Sequence, residues 1–74
     1  FNLSILKSKK GKITNLKFKK PTILFSRTGK WEIMIDDFLC VLSPKDTISI
    51  PINSNVNIKI NENKDCYLNC VTQI

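Results

Sequence analysis

The feature that most constrains this chain is its hydrophobic period, which is two rather than 3.6. In "WEIMI", Trp31, Ile33 and Ile35 share one face, and Glu32 and Met34 share the other. Successive side chains of an extended strand point to opposite faces, so this spacing specifies strand. The same alternation runs through Leu3 to Lys7, Ile13 to Lys19 and Val56 to Ile60. "TILFSR", "FLCVL", "TISI" and "CYLNCVT" are compact runs of strand length. Turn chemistry separates the runs. Gly11 closes "SKKGK", Thr28-Gly29 and Asp36-Asp37 follow, and Ser43-Pro44-Lys45 and the polar Asn61 to Asp65 complete the set. Pro21 and Pro51 break the runs in which they fall. No segment has helical spacing. The chain is predicted to be all-β, with about eight short antiparallel strands in a small jelly-roll barrel or sandwich.

Seventy-four residues allow one domain, spanning 1–74, with a modest core. A core of that size commonly leans on a partner or on a larger protein. The chain opens at Phe1 rather than Met, and it is expected to be a fragment, a trimmed chain or a domain cut from a longer one. No apolar run approaches the length that spans a membrane. Cys40, Cys66 and Cys70 are odd in number and contain no Cys-x-x-Cys pair. They read as reduced, buried thiols of a cytoplasmic protein.

The net charge is +6 and unevenly spread. Residues 1–30 carry nine Lys or Arg and no acid, while residues 31–74 carry three bases and six acids. A basic half can serve an anionic partner. Lys, Asn and Ile also dominate chains encoded by AT-rich genes, which explains a lysine-rich surface without a ligand. "KSKKGK" has no interleaved aromatics, so it is a poor single-strand platform, and nucleic acid is not the expected partner.

The placement of glycine, proline and turn residues resembles the cupin family along nearly the whole chain. The first cupin motif runs glycine, five residues, His-x-His, three or four residues, Glu, six residues, glycine. Here Gly11 opens it, Lys17-Phe18-Lys19 fall in the His-x-His place, Thr22 in the Glu place, and Gly29 closes it. One residue is missing before Thr22. The second motif is glycine, five residues, Pro-x-Gly, two residues, His, three residues, Asn. Lys45 stands in its first glycine place, inside "PKD", followed by Pro51, then Asn53 for the second glycine. Val56 stands for the histidine and Ile60 for the asparagine. Asn53 is a reasonable replacement because Asn tolerates positive φ. The resemblance implies a cupin jelly roll that has lost the family's metal chemistry. The chain has no histidine, and the four ligand places hold Lys17, Lys19, Thr22 and Val56. Charged lysine has no lone pair to give, and valine has none at all.

The resemblance also implies a cavity at the barrel mouth, near Lys17, Lys19, Thr22, Arg27, Val56 and Tyr67. If Lys17 and Lys19 face inward, two buried ammonium groups need an anion, such as a phosphate or carboxylate. In the other register Leu16 and Phe18 face the core and the lysines are solvated. Half-buried strands ordinarily put their apolar face inward, which favours this second register. Trp31 reads as core or interface, Asp36 and Asp37 as solvated turn residues, and Tyr67 as a strand aromatic with its hydroxyl at the rim. A nucleophile paired with histidine is excluded by composition.

The expected function is that of a metal-free, cofactor-free cupin domain. It would serve as a structural or dimerisation module, or bind a small anionic or sugar-like ligand, within a larger metabolic or sugar-related protein. The partner is a second copy or a second β-domain, met through strand faces. Two alternatives stay open. One is a metal-independent enzyme resembling sugar-nucleotide epimerases and isomerases, though those use a histidine base. The other is the ligand-sensing domain of a transcription regulator.

Overall fold

The computed structural model describes residues 2–73. Eight strands follow in order: β1 (Asn2–Ser8), β2 (Ile13–Lys17), β3 (Thr22–Ser26), β4 (Trp31–Ile35), β5 (Phe38–Leu42), β6 (Thr47–Ile50), β7 (Asn55–Ile60) and β8 (Cys66–Thr72). They form two antiparallel four-stranded sheets, ordered β1-β8-β3-β6 and β2-β7-β4-β5. Only the β4–β5 connection stays within one sheet. Every other connection crosses between sheets, which is the jelly-roll pattern. The all-β expectation of about eight antiparallel strands is therefore met.

The period-two pattern sets what fills the space between the sheets. Leu24, Trp31, Ile33, Leu42, Ile50, Val56, Ile58, Ile60, Cys66, Leu68 and Cys70 form one buried cluster. Leu6, Leu16, Phe18, Ile35 and Ile48 pack against it. Burying a side chain the size of Leu or Ile stabilises by about 1.5–3 kcal/mol. Trp31 is fully buried and its Nε1–H donates to the Thr28 carbonyl at 3.0 Å. Its polar atom is thus satisfied by the turn just before its own strand.

The turns use the left-handed backbone where the sequence led one to expect it. Asn53 has φ 64° and Lys45, in the glycine place of "PKD", has φ 74°. Asp36, the first residue of the β4–β5 turn, has φ 52°, and its Oδ1 accepts the Asn55 N–H at 3.0 Å. Lys45 donates its N–H to the Ser26 carbonyl at 2.8 Å, and Ser26 donates its own to the Asp46 carbonyl at 3.2 Å. The loops β1–β2, β3–β4, β5–β6 and β7–β8 all lie at one end of the barrel. The β2–β3, β4–β5 and β6–β7 connections lie at the other.

Candidate functional site

The interior at the resemblance's ligand places is apolar. Val56 on β7 is fully buried, opposite Leu16 on β2 and Ile35 on β4. Leu16 and Phe18 pack against the core, and Lys17 and Lys19 are exposed. The parity of β2 is thus the one in which the apolar residues face in and the lysines face water. Thr22 is buried on β3, where its hydroxyl donates to the Lys20 carbonyl at 2.9 Å and lies 3.3 Å from Thr72 Oγ1. No three His, Cys, Asp or Glu side chains come together among the described residues.

Arg27 is exposed just beyond β3, and Tyr67 stands on the outer side of β8. Their backbones meet, since Arg27 donates its N–H to the Tyr67 carbonyl at 3.0 Å. The structure therefore does not bring the six candidate residues together. Thr22 and Val56 face inward from different sheets, Arg27 and Tyr67 flank one outer face, and Lys17 and Lys19 lie outside the other sheet.

Two of the three thiols are sequestered. Burial pushes the Cys66 thiol above its ordinary range, and the Glu62 carboxylate beside it acts in the same direction. Burial does the same to Cys70, opposed by a hydrogen bond with Ser4. The Glu62 carboxyl is held below its ordinary range, chiefly because Oε2 accepts the Lys30 N–H at 2.9 Å. Protonated, buried thiols are poor nucleophiles, so their role is packing.

What sequence reasoning did not pick out is the outer face of the β1-β8-β3-β6 sheet. Registers across the strands arrange it in rows. The first is Leu3, Val71, Ile23 and Ser49; the second is Ile5, Asn69, Phe25 and Thr47. Lys7 and Tyr67 pair in a third, with Arg27 beside them. Leu3, Ile5 and Ile23 are 56%, 52% and 46% exposed, and Phe25 and Val71 are half-buried. The signal was present: "ILF" in β3 and "CYL" in β8 carry apolar residues at consecutive positions, which supplies both faces of a strand. The outer face of the other sheet is more polar, with Asn15, Asn55, Asn57, Lys59 and Glu32 among Ile13, Met34, Leu39 and Val41. A shallow groove of about 450 Å³ lies there among Ile13, Glu32, Met34, Leu39, Asn57 and Lys59.

No family model matches the chain, and no curated protein matches it. Solved structures do. The chain is similar to Drosophila melanogaster CENP-C bound to CAL1, with TM-score 0.87 and 19% identity over 96% of this chain and 60% of that one. A cupin superfamily protein from Desulfitobacterium hafniense gives TM-score 0.85 and 19% identity, covering 97% of this chain and 65% of that one. The Clostridium difficile EutQ protein gives TM-score 0.78 and 18% identity, covering 95% and 53%. The chain thus spans between about half and two thirds of the length of these structures. The fold they share with it is the cupin jelly roll.

Proposed function

We propose that this chain is a metal-free cupin domain of a larger protein and acts as a dimerisation module. Its partner is a second copy, met through the outer face of the β1-β8-β3-β6 sheet. The observation that carries this reading is the cluster of Leu3, Val71, Ile23, Ile5 and Phe25 on that face. Contiguous apolar patches above a few hundred Å² are uncommon on monomers.

The size suits the role. Stable interfaces take roughly 800 Å² from each partner. The whole accessible surface is 4872 Å², and the body measures 33 × 25 × 17 Å over its Cα atoms, so one broad face is of that order. The charges suit it too. Lys7 and Arg27 border the face at one end of the strands only. A twofold axis lying across the strands superposes the apolar rows and sends the two sets of cations to opposite ends.

The metal-free reading is supported by the absence of histidine from the sequence and by the apolar packing of Leu16, Phe18 and Ile35 in the core with Val56, which stands in one of the ligand places. The reading assigns no catalysis to this domain, since the residues facing that interior carry no acid or base. A protein partner is in keeping with the fold's use elsewhere: the similar CENP-C structure is bound to CAL1.

Sedimentation equilibrium with parallel metal analysis tests the proposal. The wild type is expected to be a dimer that Ile5→Glu and Ile23→Glu each dissociate, with circular dichroism unchanged because both side chains point outward. A wild type that stays monomeric at millimolar concentration overturns the dimer. Stoichiometric iron, nickel or zinc overturns the metal-free assignment.

A further inference from the structure

The loops at the two ends of the barrel differ in charge. The β1–β2, β3–β4, β5–β6 and β7–β8 loops carry seven bases, Lys9, Lys10, Lys12, Arg27, Lys30, Lys45 and Lys64, against three acids. The loops at the opposite end carry Lys19 and Lys20 against Asp36 and Asp37. Seven bases less three acids leave +4 at this end, two bases less two acids leave zero at the other, and each of the three acids has a local partner. Asp65 pairs with Lys7 at 3.3 Å, Asp46 Oδ2 accepts the Ser43 N–H at 3.1 Å, and Glu62 Oε2 accepts the Lys30 N–H. Among the described residues, none of the seven cations has an ion-pair partner. Backbone hydrogen bonds hold the loops together, as from Lys10 N–H to the Glu62 carbonyl at 2.8 Å and from Lys45 N–H to the Ser26 carbonyl at 2.8 Å. This braced end thus holds most of the chain's net positive charge.

We infer that this end docks on the phosphate backbone of duplex nucleic acid, without reading its sequence. The composition of the loops selects this occupant. They contain no aromatic, Leu, Ile or Met residue. Protein interfaces build their centres from aromatic and apolar side chains and are depleted in lysine. A basic patch gains about 1 kcal/mol per cation at an anionic membrane, and stable attachment needs a second, apolar or lipid anchor that these loops do not carry. Single strands need stacking platforms. A duplex backbone needs none of these, only spaced cations that displace condensed counterions. Lysine is a point charge that suits phosphate contact without base recognition. The expectation from sequence that nucleic acid is not a partner rested on missing stacking aromatics and on total lysine content. Neither bears on a duplex backbone met by one end of the barrel.

The test uses two charge-matched variants. One replaces Lys9, Lys10 and Lys12 with Glu; the other replaces Lys17, Lys19 and Lys20 with Glu. All six side chains are exposed. Binding to a mixed-sequence DNA duplex is followed by fluorescence anisotropy over a salt series, beside polyglutamate and phosphatidylserine vesicles. If about four phosphates are contacted, log K falls against log salt with a slope of about −3.6, roughly a hundredfold between 50 and 200 mM. The first variant is expected to abolish binding and the second to leave most of it. Equal loss in both variants overturns the inference, because net charge alone then accounts for binding. So does a wild type that binds polyglutamate or vesicles as well as the duplex, or that does not bind the duplex at low salt. The wild-type salt slope stands as a readout even if a variant fails to fold.

Discussion

Gly29 is where one added methyl group tests how tightly the loops brace the barrel. Its φ is +88°, and a Cβ there would lie 2.5 Å from Cys66 Sγ, 2.7 Å from Cys66 Cβ and 2.8 Å from Glu62 Oε2. Cys66 is fully buried, so it has little room to retreat. Glu62 is occupied by the Lys30 N–H. Gly29→Ala therefore meets two costs. The left-handed backbone costs about 1 kcal/mol for a residue with a Cβ. Forcing a methyl group into a packed site costs about 1–3 kcal/mol. The total is about 2–4 kcal/mol, a large part of the stability of an ordinary small domain. Gly11 supplies the control, because its φ is +94° and a Cβ there would meet nothing within 4 Å. Gly11→Ala carries the backbone cost alone. Thermal unfolding followed by circular dichroism reads both. At about 4–8 °C per kcal/mol for a domain of this size, Gly29→Ala should lower Tm by about 8–32 °C and Gly11→Ala by about 4–8 °C. If the first variant does not fold, Cys66→Ala introduced beside it removes the nearest contact and should recover part of the loss. Equal losses at the two glycines would refute the packing argument.

Other predictions follow from the placement of the charged and thiol groups. Lys17→Ala and Lys19→Ala should leave inorganic phosphate binding unchanged in an NMR titration, because both side chains face water; a clear loss would return them to an anion site. At mildly alkaline pH a thiol reagent should label Cys40 first and reach Cys66 and Cys70 only on unfolding, since burial raises both of those thiols. Raised thiols favour the fold fully below the ordinary thiol range, so Tm should decline as pH rises through that range and the unfolded chain ionises first. Glu62 runs the other way. Its lowered carboxyl favours the fold above the ordinary carboxylate range, and that contribution is lost as pH falls through its folded value. Glu62→Gln should flatten this part of the acid limb of a Tm-against-pH curve, and an unchanged limb would contradict it.

Much of the fold was readable because alternation and turn chemistry agreed at each step. "WEIMI" and "NVNIKI" bury the faces that their period predicts, and Trp31 is core. Asn53 and Lys45 take positive φ at the glycine places that the cupin resemblance assigned them. The candidate site was less readable, and β2 shows why. In "ITNLKFKK" the family spacing points at Lys17 and Lys19, while the alternation points at Leu16 and Phe18. Moving one residue along a strand inverts every side chain, and burial of Leu16 and Phe18 decides between the two. The outer apolar rows were hidden for a different reason. Leu3, Val71 and Ile23 are distant in sequence, and only the β1-β8-β3 registers make them neighbours. The cationic end was obscured likewise, because its lysines come from four separate loops.

The central claim is that the outer face of the β1-β8-β3-β6 sheet is covered by a second copy. The most direct measurement is methyl NMR with a soluble paramagnetic agent, repeated from dilute to millimolar protein. Leu3, Ile5, Ile23 and Val71 should lose relaxation enhancement as concentration rises, while Ile13, Leu39 and Val41 on the other sheet keep theirs. Equal and undiminished enhancement of both sets at the highest concentration would contradict the account.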